Sequence, residues 1–132
     1  MFKINKRTGD IVTRQGDTWD LSVSGVSDDW DLYFSVYTAD TREILFELNT
    51  NPVDGIALFE VNAENSDKLI VPEEKESETY YYGIKRCKNI DNKYVEDTLI
   101  LQGKSVNDLN MITVYPLIVE GAENGKSKVW KR

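Results

Sequence analysis

The sequence predicts an all-β chain: an antiparallel β-sandwich, immunoglobulin-like or related, of about seven to nine strands with at most one short helical turn. Three observations predict it. Apolar residues alternate with period two instead of recurring at helical spacing. Turn-forming residues punctuate the chain at intervals of roughly 8–12 residues. Residues 56–103 read in order as a strand, a short turn, a tyrosine-rich strand, a hairpin turn and another strand.

Each element follows from its local pattern. Gln15-Gly16-Asp17 is a turn between a short strand at 11–13 and a strand from Thr18 in which Trp19, Leu21 and Val23 share a face. Ser27-Asp28-Asp29 precedes a strand with Trp30, Leu32, Phe34 and Val36 on one side and Tyr33, Ser35 and Tyr37 on the other. Ala39-Asp40-Thr41 separates it from a strand expected to bury Ile44, Phe46 and Leu48 opposite Glu43, Leu45, Glu47 and Asn49. Half-polar strands of this kind suit antiparallel sheets with one wet face. Residues 51–55 form a turn before the strand at 56–62. Residues 63–70 are the helical candidate, with Asn65 or Ser66 as cap, Leu69 and Ile70 covering an open end of the core, and Pro72 as the stop.

The tyrosine-rich strand at 79–87 places Tyr80, Tyr82 and Ile84 inward, with the tyrosine hydroxyls expected at the rim, and Tyr81 and Lys85 outward. Residues 89–93 turn into a strand at 94–101. A last strand carries Ile112 and Val114, and Pro116 argues for an edge position. The 132 residues fit one domain, read as 1–120 with a flexible C-terminal tail at 121–132.

Composition bounds the chemistry. A net charge of −7 repels a phosphate backbone, so nucleic acid is not an expected partner; the basic cluster Lys126, Lys128, Lys131 and Arg132 reads as a solvated end. With no histidine, the commonest general base and neutral metal ligand are missing. Cys87 is the lone cysteine, which excludes an intramolecular disulfide, and without an imidazole beside it reads as a packing residue. Residues 1–10 contain no apolar signal core, and no run approaches the ~20 residues needed to span a bilayer. Asp28, Asp29 and Asp31 read as a solvated turn and not a calcium loop. Asp97 reads as a hydrogen-bonding partner across the hairpin and not a glycosidase acid. Catalytic residues, metal ligands and cofactors are therefore not expected.

Short motifs add a resemblance. Arg14-Gln15-Gly16-Asp17-Thr18, Phe59-Glu60-Val61, Asp67-Lys68-Leu69, Tyr80-Tyr81-Tyr82-Gly83-Ile84-Lys85 and residues 97–103 occur in that order. This set resembles the N-terminal domain of phage baseplate upper proteins and related siphophage structural β-sandwich domains, over most of residues 10–118. The polar excursion at 104–110 departs from the family's hairpin.

The resemblance implies a phage or prophage virion structural protein, a tail or baseplate component assembled in the host bacterial cytoplasm, with no enzymatic activity. The expected partners are other tail or baseplate proteins and further copies of the chain, with no membrane. The expected contact residues are Tyr81 and Lys85, Ile118 within an edge strand at 111–119, and Val129 and Trp130 in the tail. The alternative is a carbohydrate-binding β-sandwich module for cell-surface or wall glycan, motivated by three Trp and seven Tyr.

Overall fold

The computed structural model describes residues 1–99 and 110–117. Among these are β1 (Phe2–Ile4), β2 (Ile11–Arg14), β3 (Trp19–Ser24), β4 (Asp31–Thr38), β5 (Ile44–Thr50), β6 (Ile56–Val61), α1 (Ala63–Asp67), β7 (Glu78–Ile90), β8 (Lys93–Leu99) and β9 (Asn110–Tyr115). They form two layers of an open sandwich. The larger sheet runs β1-β2-β9-β7-β4-β5, with β8 also on β7, and the smaller is β3-β6.

β7 organises the large sheet. One edge pairs with β4 from Tyr80 to Cys87. The other edge carries β9 beside Glu78–Tyr82 and β8 beside Ile84–Ile90. β8 and β9 thus occupy one strand position in two halves. The order β9-β7-β4-β5 opposite β3-β6 has the arrangement of strands G-F-C-C′ opposite B and E in an immunoglobulin variable-type domain.

The core follows from alternation. Leu32, Phe34 and Val36 of β4 face Ala57, Phe59 and Val61 of β6, and all six are buried. The Phe34 ring sits 5.3 Å from Tyr82, 5.5 Å from Phe59 and 6.1 Å from Trp19, which stitches both layers together. The Asp91-Asn92 turn between β7 and β8 has φ of 51° and 67°, the paired left-handed geometry that matches the twist of a two-residue hairpin. At α1 the cap is Asn62, not Asn65 or Ser66: its side-chain oxygen accepts from the Asn65 backbone N–H at 2.8 Å. Leu69 closes the core as expected, but Ile70 is exposed.

Two expectations are corrected, the edge position of the last strand and the inward face of Ile44, and two features add to the expected sandwich. The strand carrying Ile112 and Val114 is not at an edge, because β9 lies between β2 and β7. Pro116 falls just beyond its last residue, so the missing N–H costs the ladder nothing. β9 also runs parallel to β2, the one parallel pair among the described strands of an otherwise antiparallel sandwich. The N-terminal residues form a strand, β1, where Phe2 and Ile4 flank Lys3 and pack on the core. Finally, the register between β4 and β5 shifts at Val36/Tyr37, so that Leu45 is an extra residue between Phe46 and Ile44. Such a bulge inverts the alternation: Leu45 packs against the core while Ile44 turns outward and is 56% exposed.

The bulge gives a direct test. Phe46→Ala removes a buried ring and should cost about 3–5 kcal/mol. Ile44→Asp should change stability by less than about 0.5 kcal/mol. Urea unfolding of both variants checks the assignment, and a large loss in the Ile44 variant would contradict it.

Candidate functional site

The large sheet has an inner face on the core and an outer face that no described strand or helix covers. The register decides which side chains reach it. Opposite the buried Leu32, Phe34 and Val36 stand Tyr33, Ser35 and Tyr37. On β7, Tyr81, Gly83 and Lys85 pair with Tyr37, Ser35 and Tyr33 and so share that side. β5 adds Ile44, Glu47 and Asn49; β9 adds Met111 beside Tyr81. Tyr94 and Tyr115 lie on the same side, so five of the seven tyrosines face outward.

Three rows cross this face. Ile44, Tyr37, Tyr81 and Met111 form a continuous row over β5, β4, β7 and β9. The next row is Glu47, Ser35 and Gly83, and the third is Asn49, Tyr33, Lys85 and Thr98. Ser35 is only 4% exposed although it faces outward. Its neighbours on this side are Tyr33, Tyr37, Glu47 and Gly83, so the tyrosines and the glutamate lean over it. Ser35 Oγ donates to Glu47 Oε2 at 2.5 Å and fixes that carboxylate. Arg42 stacks its guanidinium 4.8 Å from the Tyr81 ring centre.

Charge on this face is mostly neutralised in place. Lys85 Nζ lies 2.7 Å from Glu96 Oε2, and this hydrogen bond raises the lysine pKa, with Glu47 adding a smaller push in the same direction. Cys87 is 1% exposed, also on the outer side, tucked beside Tyr94. The neighbouring Cys87 thiol pushes the Tyr94 phenol up to about 12. Cys87 is thus a packing residue, in the aromatic layer and not in the central core.

The remaining charged groups serve the ends of the sheets. Arg86 and Lys88 each stand 4.4 Å from the Trp30 ring centre, paired respectively with Asp97 at 2.8 Å and Asp29 at 2.7 Å. The hydrogen bond from Lys88, then that from Ser27, holds the Asp29 carboxyl down at about 2. Asp28 accepts from the backbone N–H groups of Asp54 and Gly55, which ties two turns together. The acidic trio at 28–31 is thereby occupied with turn and ion-pair contacts, and Asp97 with the hairpin, as the residue spacing implies. A groove of about 760 Å³ lies between β3 and the inner face of β7 and reaches Leu99 and Asn110, the residues flanking the undescribed segment. Its lining is mainly apolar, with Lys6, Asp20 and Arg86 as its charged members.

Of the expected contact residues, the structure puts Tyr81 and Lys85 on the outer face, four residues apart on β7 with Gly83 midway between them on that face. Ile118, Val129 and Trp130, and the tail at 121–132, lie outside the described residues. The sequence reading did not select Tyr33, Tyr37, Ile44 or Met111 for this surface. The recurrence of tyrosine at 33, 37 and 81, always opposite buried apolar positions, was the available signal.

Comparison with family models, with curated proteins and with solved structures finds no match. Among the described residues, no helix is long and apolar enough to cross a membrane.

The two inward tyrosines report on alkaline stability. Tyr82 Oη donates to the Gly9 carbonyl at 2.5 Å in a buried setting, away from the rim, while Tyr80 Oη reaches the Ile70 carbonyl at 2.7 Å. Burial raises both pKa values above 10.0, with Asp10 adding to Tyr82 and Glu78 to Tyr80. The folded chain therefore keeps protons that the unfolded chain releases above pH 10.0. Stability is full below that pH and falls as pH rises past it. Tyr82→Phe should lose about 1 kcal/mol near neutrality yet decline less steeply in alkali. Urea unfolding at about pH 8 and about pH 11 checks the difference in slope; equal slopes would contradict it.

Proposed function

We propose that the chain is a phage or prophage virion structural protein, a tail or baseplate building block that works by protein–protein assembly and performs no catalysis. The observation that carries the assembly reading is the outer face of the large sheet. It concentrates tyrosine, methionine and one ring-stacked arginine, Arg42, around an exposed isoleucine. Aromatic residues, Met and Arg are enriched at protein interfaces, and Tyr and Arg dominate their energetic centres. The charged members Glu47 and Lys85 are held by Ser35 and Glu96, so little rotamer freedom remains to be lost on docking. The virion assignment rests on the resemblance of the ordered motifs to those of baseplate upper proteins, and the outer face supports a docking reading of that kind.

A second reading has support from the same face. Tyrosine rings beside an oriented carboxylate, Glu47, and an exposed amide, Asn49, could stack on and hydrogen-bond a glycan. Asn49 Nδ2 is committed to the Leu32 carbonyl at 3.0 Å, leaving its oxygen for a ligand.

Particles induced from the host that encodes the chain test the first reading. The protein should sediment with tails or baseplates and be detected there by mass spectrometry. Tyr37→Glu with Tyr81→Glu should reduce incorporation at least about tenfold while leaving the fold intact. Absence of the wild-type chain from particles, together with retention on bacterial wall polysaccharide, would overturn the assembly reading in favour of the glycan one.

A further inference from the structure

We propose that the outer face of the large sheet docks on the same face of a second copy of the chain, about a two-fold axis running along β4. The inference rests on the assembly reading above and names the partner.

Charge placement argues for a self-complementary contact. Glu47 lies on β5, on one side of β4, and Lys85 on β7, on the other, one row apart. A two-fold axis along β4, lying in the plane of the interface, exchanges the β5 and β7 sides between copies. Glu47 of one copy then lands over Gly83 of the other, next to Lys85. Gly83 has no side chain, so the row Glu47, Ser35, Gly83 offers room where the carboxylate arrives. An isologous contact requires this kind of antisymmetric placement, in which residue i meets j and j meets i.

The apolar row obeys the same operation. Tyr37 falls near the axis and meets its own counterpart, while Tyr81 is carried onto Ile44 of the second copy. That contact covers the isoleucine which the β-bulge turns outward at 56% exposure. The operation overlaps three strands of each copy, β5 over β7, β4 over β4 and β7 over β5; at about 4.8 Å between strands and about seven residues of about 3.3 Å each, the projected overlap is about 330 Å². Even with side-chain relief this is smaller than the roughly 800 Å² per partner of a standard interface, and it belongs to the size range of weak, concentration-dependent association. Face-to-face packing of two such sheets is an established way to bury a sheet face.

Multi-angle light scattering of the full chain across a concentration series tests the proposal. Wild type should move from monomer toward dimer as concentration rises. Glu47→Lys sets lysine against Lys85 twice in the dimer and should raise the dissociation constant at least about tenfold. Adding Lys85→Glu to that variant should restore dimerisation, with circular dichroism melts showing that all three proteins are folded. A wild-type chain that stays monomeric at millimolar concentration overturns the proposal, as does a folded double variant no more dimeric than the single one. A monomer that still incorporates into particles leaves the virion reading standing, whereas a monomer retained on wall polysaccharide supports the glycan reading of this face.

Discussion

The registry of β7 against β4 is the constraint on which the rest of the structure depends. Eight consecutive pairs, from Asp31 with Cys87 to Thr38 with Tyr80, fix which side of each strand meets the core. Because side chains alternate, slipping this pairing by one residue would exchange the faces. Tyr82 would leave Phe34 and its hydrogen bond to Gly9, and Tyr81 would enter the core. The inner ring cluster and the outer tyrosine layer are therefore two consequences of one pairing. β7 also carries β8 and β9 end to end along its other edge, so the position of β9, and through it β2 and β1, follows from the same strand.

The outer face has the character of a surface built to be covered. Ordinary wet faces of antiparallel sheets carry charged and small polar residues. Here tyrosines occupy the positions opposite the core, and they close over Ser35 and Cys87 so that even these outward residues are shielded. Two charged groups near its centre are held across strands, Lys85 by an ion pair with Glu96 and Glu47 by a hydrogen bond from Ser35. Exposed ion pairs of this kind add little stability, but they hold long side chains in defined positions. A rigid, ring-rich surface loses less conformational entropy on docking than a mobile lysine-rich one.

Much of the architecture was legible in the sequence because period two is a direct imprint of the sheet. The alternation in 32–36 and 80–84 identified the inward residues and put Tyr81 and Lys85 outside. What alternation cannot encode is an interruption in itself. The bulge at Leu45 inverts the pattern locally, so Ile44 was assigned to the wrong side. Strand order is likewise set by tertiary pairing: Pro116 resembled an edge signal, yet β9 ends at Tyr115, before the proline, and sits inside the sheet. The helix cap was misplaced by three residues because Asn62 and Asn65 are chemically equivalent capping candidates. The candidate surface was half visible: Tyr81 and Lys85 could be chosen from one strand, but their neighbours Tyr37, Ile44 and Met111 come from three other strands, and only the register brings them together.

The central claim is that the outer tyrosine face is the surface this chain uses. The most direct measurement is covalent labelling of tyrosine in the free and the assembled protein, read residue by residue by mass spectrometry. The account predicts that labelling of Tyr33, Tyr37 and Tyr81 falls severalfold on assembly, while Tyr80 and Tyr82 stay poorly labelled in both states. Unchanged labelling of Tyr33, Tyr37 and Tyr81 in an assembled particle would contradict it and move the contact surface elsewhere on the molecule.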